Sequence, residues 1–191
     1  MTHAFPGHSA PAAGFEVPLE MLAACHGRVQ SQCVTLRRLV PHVAAHGSDR
    51  PAQEAAAAVM RYFDTAARHH HEDEEVDLFP ALLESMAGSD AVCLRELTAL
   101  LTAEHRELEG CWRTLRRRLE QVAAGRAAGL PDDEVMSFID LYERHIAREE
   151  AELLPMAGRL LGDAALDRIG LAMRARRGAF EPLQVPKDGA A

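Results

Sequence analysis

The 191-residue sequence has no apolar run long enough to cross a bilayer, so no transmembrane helix is expected. Its first residues, MTHAFPGHSAPAAGFE, lack a basic segment leading into an apolar one, the pattern of a secretory leader. The four cysteines (Cys25, Cys33, Cys93, Cys111) form no CxxC pair, and a chain of this size can bury a core without disulfides. A reduced, cytoplasmic setting is the expectation. Basic residues are not in excess. The net charge of -8 argues against nucleic acid or an anionic membrane as the main partner. No stretch carries a strand pattern either. What the chain has in quantity is histidine, ten in all, and their placement carries the argument.

Between Arg68 and Leu83 the chain reads RHHHEDEEVDLFPALL, where His70, Glu74, Leu78 and Pro80 follow one another at fixed intervals. Between Glu143 and Met156 it reads ERHIAREEAELLPM, and His145, Glu149, Leu153 and Pro155 repeat those intervals. Residues four apart lie one helical turn above each other on the same face. Each copy therefore aims one imidazole and one carboxylate in the same direction, as a metal site requires.

Taken in order, residues 1–16 are rich in Pro, Gly and Ala and read as a loose arm. Pro18 suits the first turn of a helix whose seam is Leu22, His26, Val29, Cys33, Leu36 and Val40; Pro41 and the stretch from Gly47 to Pro51 should end it. A second helix, from about 52 to 86, faces inward with Val59, Phe63, Ala67, His70, Glu74, Leu78 and Ala81. Pro80 should bend it just beyond the carboxylate. Gly88, Ser89 and Asp90 read as a stop followed by an N-cap. A third helix, from about 90 to 124, has Leu94, Leu97, Leu101, His105, Leu108, Trp112, Leu115, Leu119 and Val122 on its seam. The fourth, from about 131 to 160, presents Val135, Phe138, Tyr142, His145, Glu149, Leu153 and Met156. A shorter fifth helix runs from Gly162 to about Arg177, and residues 179–191 form a tail.

The expected fold is all-α: an up-down antiparallel four-helix bundle over residues 17–178, with the short fifth helix at its C-terminal end. Each half of the bundle is a helix with one seam histidine followed by a helix with His-x-x-x-Glu. Such an internal repeat implies a pseudo-two-fold axis through the core.

Six inward ligands follow: His26, His70, Glu74, His105, His145 and Glu149. Divided evenly they make two sets of two histidines and one carboxylate, a combination that favours non-haem iron. Closed zinc sites use four ligands, usually with thiolates, and calcium and magnesium prefer oxygen. If each glutamate bridges two ions and a single oxygen atom adds a further bridge, roughly two of about twelve octahedral positions stay open. A bridging oxide or hydroxide would also offset the surplus positive charge. Any single seam histidine is more often a hydrogen-bonded core residue than a ligand. Four on successive seams, two of them with Glu at i+4, reverse that weighting, because two buried carboxylates without a cation would cost several kcal/mol each.

The neighbours carry weaker signals. His69 and His71 sit about 100° to either side of His70, toward solvent or the rim, with His71 a candidate extra or exchangeable ligand. Glu75 and Glu150 follow the ligand glutamates and read as solvated charges or as partners of the ligands. Glu109 and Gln30, each four residues after a seam histidine, are within reach of the site on helical spacing. Cys25 reads as a packed thiol before it reads as a reactive one. Tyr142, one turn before His145, either donates a hydrogen bond to a bound ligand or packs.

The phrases His70–Glu74 with LFP and His145–Glu149 with LLP, together with His26 and His105, resemble the hemerythrin family in its HHE cation-binding branch, over about residues 18 to 160. The resemblance implies a four-helix bundle with a non-haem di-iron centre. Members of the wider family bind O2 reversibly, sense oxygen or iron, or, in the repair-of-iron-centres proteins, serve damaged iron–sulfur clusters and handle NO. The oxygen carriers have His-x-x-x-His on the third helix, where this chain has His105 and Glu109. They also end with His and Asp five apart, where this chain has His145 and Glu149. That moves the pattern toward the four-His, two-Glu set of the repair proteins, without the cysteine-bearing N-terminal segment many of them carry. The expectation is a di-iron protein that takes a small oxidant (O2, NO or peroxide) as sensor, scavenger or store, in exchange with a redox partner that the residues do not identify. Its rivals are repair of iron–sulfur clusters and an interaction module with a structural metal.

Overall fold

Helix α1 (Pro18–His46) begins at a proline whose missing N–H is unneeded in a first turn. It runs straight through Pro41, where a stop was expected, and ends at Gly47, whose φ of 66° suits glycine. Pro41 lies on the exposed face, while Leu39 and Val43 on either side are buried. The carbonyl that loses its partner therefore turns to water, and burial of the flanking residues holds the helix together. Asp49 caps the next helix, its carboxylate accepting from the Ala52 amide at 3.0 Å. The structure, a computed structural model, describes residues 14–85 and 90–179. Most of the expected arm and tail, and the stop at Gly88 and Ser89, lie outside those residues.

The second rod is not the single helix expected from the periodicity. It comprises α2 (Arg50–Asp64), α3 (Ala66–Glu72), a π-helical turn (Asp73–Leu78) and α4 (Phe79–Ser85). The break falls at Thr65, whose backbone leaves the helical region (φ -127°, ψ -78°) and whose hydroxyl donates back to the Arg61 carbonyl at 2.6 Å. The π turn precedes Pro80, which can neither donate to Val76 nor fit beneath that carbonyl in a regular helix. Helix α5 (Asp90–Ala123) follows. The fourth rod repeats the second: α6 (Asp132–Arg148), a π turn (Glu149–Leu153) ahead of Pro155, and α7 (Leu154–Leu160). Helix α8 (Asp163–Arg176) closes the described chain. Each π turn takes up one residue more than an α turn, so the inward face advances by one position beyond it. Leu82 and Ala157 are buried where Ala81 and Met156 were expected.

Among the described residues the fold is entirely helical, and no helix is long and apolar enough to cross a membrane. Helix α1 packs on α2 and α6, and α5 packs on the same two. The buried apolar side chains form two separate clusters. One contains Val29, Phe63, Leu108, Phe138 and Ile146; the other contains Leu22, Leu78, Leu101 and Leu153. The interval between them on all four rods is occupied by His26, by His70 and Glu74, by His105, and by His145 and Glu149, each at most 2% exposed. A polar layer thus divides the core. Burying it without strong compensation would cost more than the apolar residues it displaces.

Candidate metal centre

The six residues expected to converge do converge. Donor atoms of His26, His70, Glu74 and Glu149 lie within 4.8 Å of one another, and so do those of Glu74, His105, His145 and Glu149. Ligands about 2.0–2.2 Å from one ion are separated by no more than roughly 4.4 Å, so both groups are close to the size of a coordination shell. The two groups share both glutamates. Within them, Nε2 of His26 stands 3.1 Å from Glu149 Oε2, Nε2 of His145 stands 3.1 Å from Glu149 Oε1, and Nε2 of His70 stands 3.4 Å from Glu74 Oε1. His105 Nε2 lies 3.3 Å from Glu74 Oε2 and 3.1 Å from the same nitrogen of His145.

Apart from the contact between the two Nε2 atoms of His105 and His145, close approach here is not hydrogen bonding. Both oxygens of Glu74, both oxygens of Glu149 and Nε2 of His26 are fully buried without a hydrogen-bond partner among the described residues. Such atoms are rare in folded proteins and call for an explanation, most simply an ion. The donor set of imidazole nitrogens and carboxylate oxygens, with no thiolate, fits a transition-metal cation.

The outer nitrogens show how the imidazoles are oriented. His26 Nδ1 meets Glu150 at 3.1 Å, His105 Nδ1 meets Glu75 at 2.7 Å, and His145 Nδ1 meets Glu104 at 2.9 Å. A carboxylate accepts, so each Nδ1 donates and each Nε2 is turned inward. Glu75 is held in turn by Arg106, and Glu104 by Arg148. Of the two readings the sequence leaves for Glu75 and Glu150, solvated charges or partners of the histidines, the second holds. Glu104 was not anticipated, although it directly precedes His105.

Burial pushes His70 down to about 3 and His71 well below the ordinary imidazole range, so both are neutral at physiological pH and offer lone pairs. Burial and the charge of Glu149 push Glu74 well above the usual carboxylate range. Burial opposes ionisation of Glu149 as well, but its contacts with His145 and His26 outweigh that and hold it well below the range. His145 is raised, since its contact with Glu149 outweighs its own burial. Without a cation the layer thus favours the protonated forms of Glu74 and His145, in the space a metal would fill.

The remaining candidates separate cleanly. His71, placed at the rim by helical geometry, is only 8% exposed. Its ring stacks on that of His105 at 4.0 Å, its Nε2 is buried and unpartnered, and its donor atom lies within 4.8 Å of those of His105 and His145. It faces α5 across the interface between helices, which buries it nearly as fully as the central seam does. Tyr142 packs edge-on to Phe138 and against Phe63. Glu109 and Gln30 do not reach the site. Both are exposed, and Glu109 pairs with Arg106 at 2.8 Å. Cys25 is packed, with Arg28 donating to its sulfur at 2.9 Å. A groove of about 740 Å³ leads in from the surface past Trp112, Arg106 and Glu75 to His71 and Tyr142.

One unanticipated contact fixes Glu74 from below. Asp73, adjacent to Glu74, is fully buried and bonded to both Arg176 and Arg177 at the end of α8, with Arg177 Nη1 3.1 Å from Asp73 Oδ1. Arg176 also reaches Asp77 at 2.7 Å, so α8 clamps the π turn that carries Glu74. Charge-assisted bonds of this kind contribute about 1.5–3 kcal/mol. Arg177→Gln is therefore expected to lower the melting temperature by roughly 3–12 °C, at about 2–4 °C per kcal/mol. An unchanged transition in differential scanning calorimetry would show that the clamp contributes nothing.

The comparisons with known proteins agree with this geometry. A protein from Haemophilus influenzae, described only as uncharacterized, is 33% identical over 160 residues, covering 84% of this chain and 90% of that protein. The family model described as "Hemerythrin HHE cation binding domain" matches residues 17–157, an interval that contains all six convergent residues and His71. The chain belongs to the hemerythrin HHE cation-binding domain family.

Proposed function

We propose that this is a non-haem di-iron protein of the cytoplasm that binds or reacts with a small oxidant (O2, NO or peroxide), as a sensor, scavenger or iron store. The observation that carries the reading is the pair of four-donor groups sharing Glu74 and Glu149. Two ions close enough to share carboxylates, each with two imidazoles, is the arrangement for which two-metal redox chemistry is suited. His26 and His70 would hold one iron and His105 and His145 the other, with Glu74 and Glu149 common to both and a bridging oxide or hydroxide balancing charge. When bound, such a centre supplies redox electrons and exchangeable positions for a diatomic molecule or peroxide.

The rest of the chain favours that use. The polar layer sits midway between two apolar clusters, which keeps bulk water away from it. Glu75, Glu104 and Glu150 fix the imidazoles, and the groove at His71 and Tyr142 gives small molecules a short path. The order in which each rod passes the two clusters supports an up-down antiparallel four-helix arrangement. Helix α1 goes from the Leu22 cluster to the Val29 cluster, α2 to α4 returns, α5 repeats the first direction and α6 to α7 the second. The ordered unit is taken as residues 17–178.

The test is metal content and the visible spectrum of protein expressed with added iron, reduced anaerobically and returned to air. About two irons per chain, with a ligand-to-metal charge-transfer band that reappears on oxygenation and is absent from His145→Ala, is the expected result. Stable helical protein that takes up no metal would overturn the reading. A metal that stabilises the fold but gives no response to oxidant would point instead to a structural site.

A further inference from the structure

We infer that the two metal positions are unequal: the one at His105 and His145 fills first and keeps its ion, and the one at His26 and His70 exchanges. The inference rests on the two-ion reading above and deepens it. Its basis is a difference in what surrounds the histidines. On the first position both outer nitrogens are bonded to carboxylates that are 20% and 14% exposed, and each carboxylate is anchored by an arginine. On the second, only His26 is backed, by Glu150, which is 49% exposed and among the described residues has no arginine anchor. His70 Nδ1 is fully buried with no partner there.

The internal repeat accounts for the gap. Residue 104 precedes His105 and supplies the carboxylate that crosses to His145; the corresponding residue before His26 is Cys25, which carries no carboxylate and is engaged by Arg28. His71 increases the difference. A ring nitrogen of His71 is within the same reach of His105 and His145, and its Nε2 is buried without a partner, so the first position can draw on a third imidazole. A carboxylate behind a liganding histidine fixes the ring and raises its basicity, and removing one weakens metal binding by about 10–100-fold. One such partner missing, one weakly held and one extra imidazole all act in the same direction. A chain built this way would hold one ion permanently and offer the other for transfer.

The test is an anaerobic titration of metal-free protein with Fe(II), followed by competition with a chelator. The expected result is two steps about 10–100-fold apart, with a half-loaded form that retains one iron after the chelator has removed the other. X-ray absorption of that form should count more imidazole ligands than the average of the fully loaded protein, and the excess should disappear in His71→Ala. His70→Ala should still bind one iron tightly. Glu104→Gln should narrow the gap between the steps, and Glu150→Gln, at an exposed residue that leaves the fold unaffected, should widen it. Two irons bound with equal affinity, or loss of both from His70→Ala with the fold intact, would overturn the inequality and leave the two-ion reading in place. Failure of the parent protein to bind a second ion at any concentration would overturn both.

Discussion

Glu74→Gln is expected to abolish two-ion occupancy while leaving the metal-free protein about as stable as its parent. In the absence of a cation, burial and the charge of Glu149 keep Glu74 protonated well above the usual carboxylate range. A neutral amide matches a protonated carboxyl in shape and charge, and swaps that conserve volume usually cost less than about 1.5 kcal/mol. With metal the comparison reverses, because an amide offers no negative charge to share between two ions. Glu149→Gln should behave differently even though the two glutamates occupy equivalent places in the repeat. Glu149 is the ionised member of the pair, in contact with His145 and His26 at 3.1 Å. Its loss should destabilise the metal-free protein by about 3–5 kcal/mol, the cost of leaving the buried charge it faces without a counter-charge. Metal content by elemental analysis and calorimetry of chelator-treated protein would check both variants. If the two melt alike without metal, the proton is not held on Glu74 as argued.

The six convergent residues were legible because each lies on an apolar seam at helical period, where a single histidine or glutamate stands out against leucine and valine. The same periodicity gave the limits of α1, α5 and α8 to within a few residues. What it could not give was any relation between helices. Glu104 lies one residue before His105 yet serves His145 on the next rod, and no pattern along α5 alone shows that. Asp73 reads as one more acid in EDEEVD, and only the docking of α8 shows that it is buried beneath two arginines. His71 was placed at the rim because one residue of helical rotation moves it off the seam; the close packing of the second rod on α5 buries it all the same. The π turns were half visible. Pro80 and Pro155 announced a disturbance, but a kink and a widened turn satisfy the same missing donor, and the choice between them moved the buried positions to Leu82 and Ala157.

Removing the metal is expected to lower the melting temperature by roughly 8–16 °C at neutral pH, with the difference shrinking on acidification. A ligand present at about a thousand times its dissociation constant stabilises the folded state by about 4 kcal/mol. A domain of this size shifts by about 2–4 °C per kcal/mol. The sign of the pH effect follows from which groups must lose a proton before a cation can bind. His70, at about 3, and His71, depressed by burial, are already neutral over the working range and contribute no dependence. Glu74 and His145 are both raised, so the metal-free protein holds protons on them that the metal must displace. Affinity should therefore increase with pH until those two groups have ionised on their own, and level off above that point. As pH falls, protons take the place of the metal and the melting temperatures of loaded and chelated protein converge. Glu149 works against part of this in the metal-free state. Its folded pKa is depressed, so it stabilises that state above the ordinary carboxylate range and ceases to do so as pH falls through its lowered value. Convergence should thus come from loss of the metal's contribution as pH falls through the raised Glu74 and His145, before the metal-free protein itself weakens in acid. Calorimetry of loaded and chelated protein across a pH series measures both curves, and proton release on Fe(II) addition in a weakly buffered solution gives an independent count. A gap that stays constant from acid to alkaline pH would show that no proton competes with the cation, and that the convergent carboxylates and imidazoles are not its ligands.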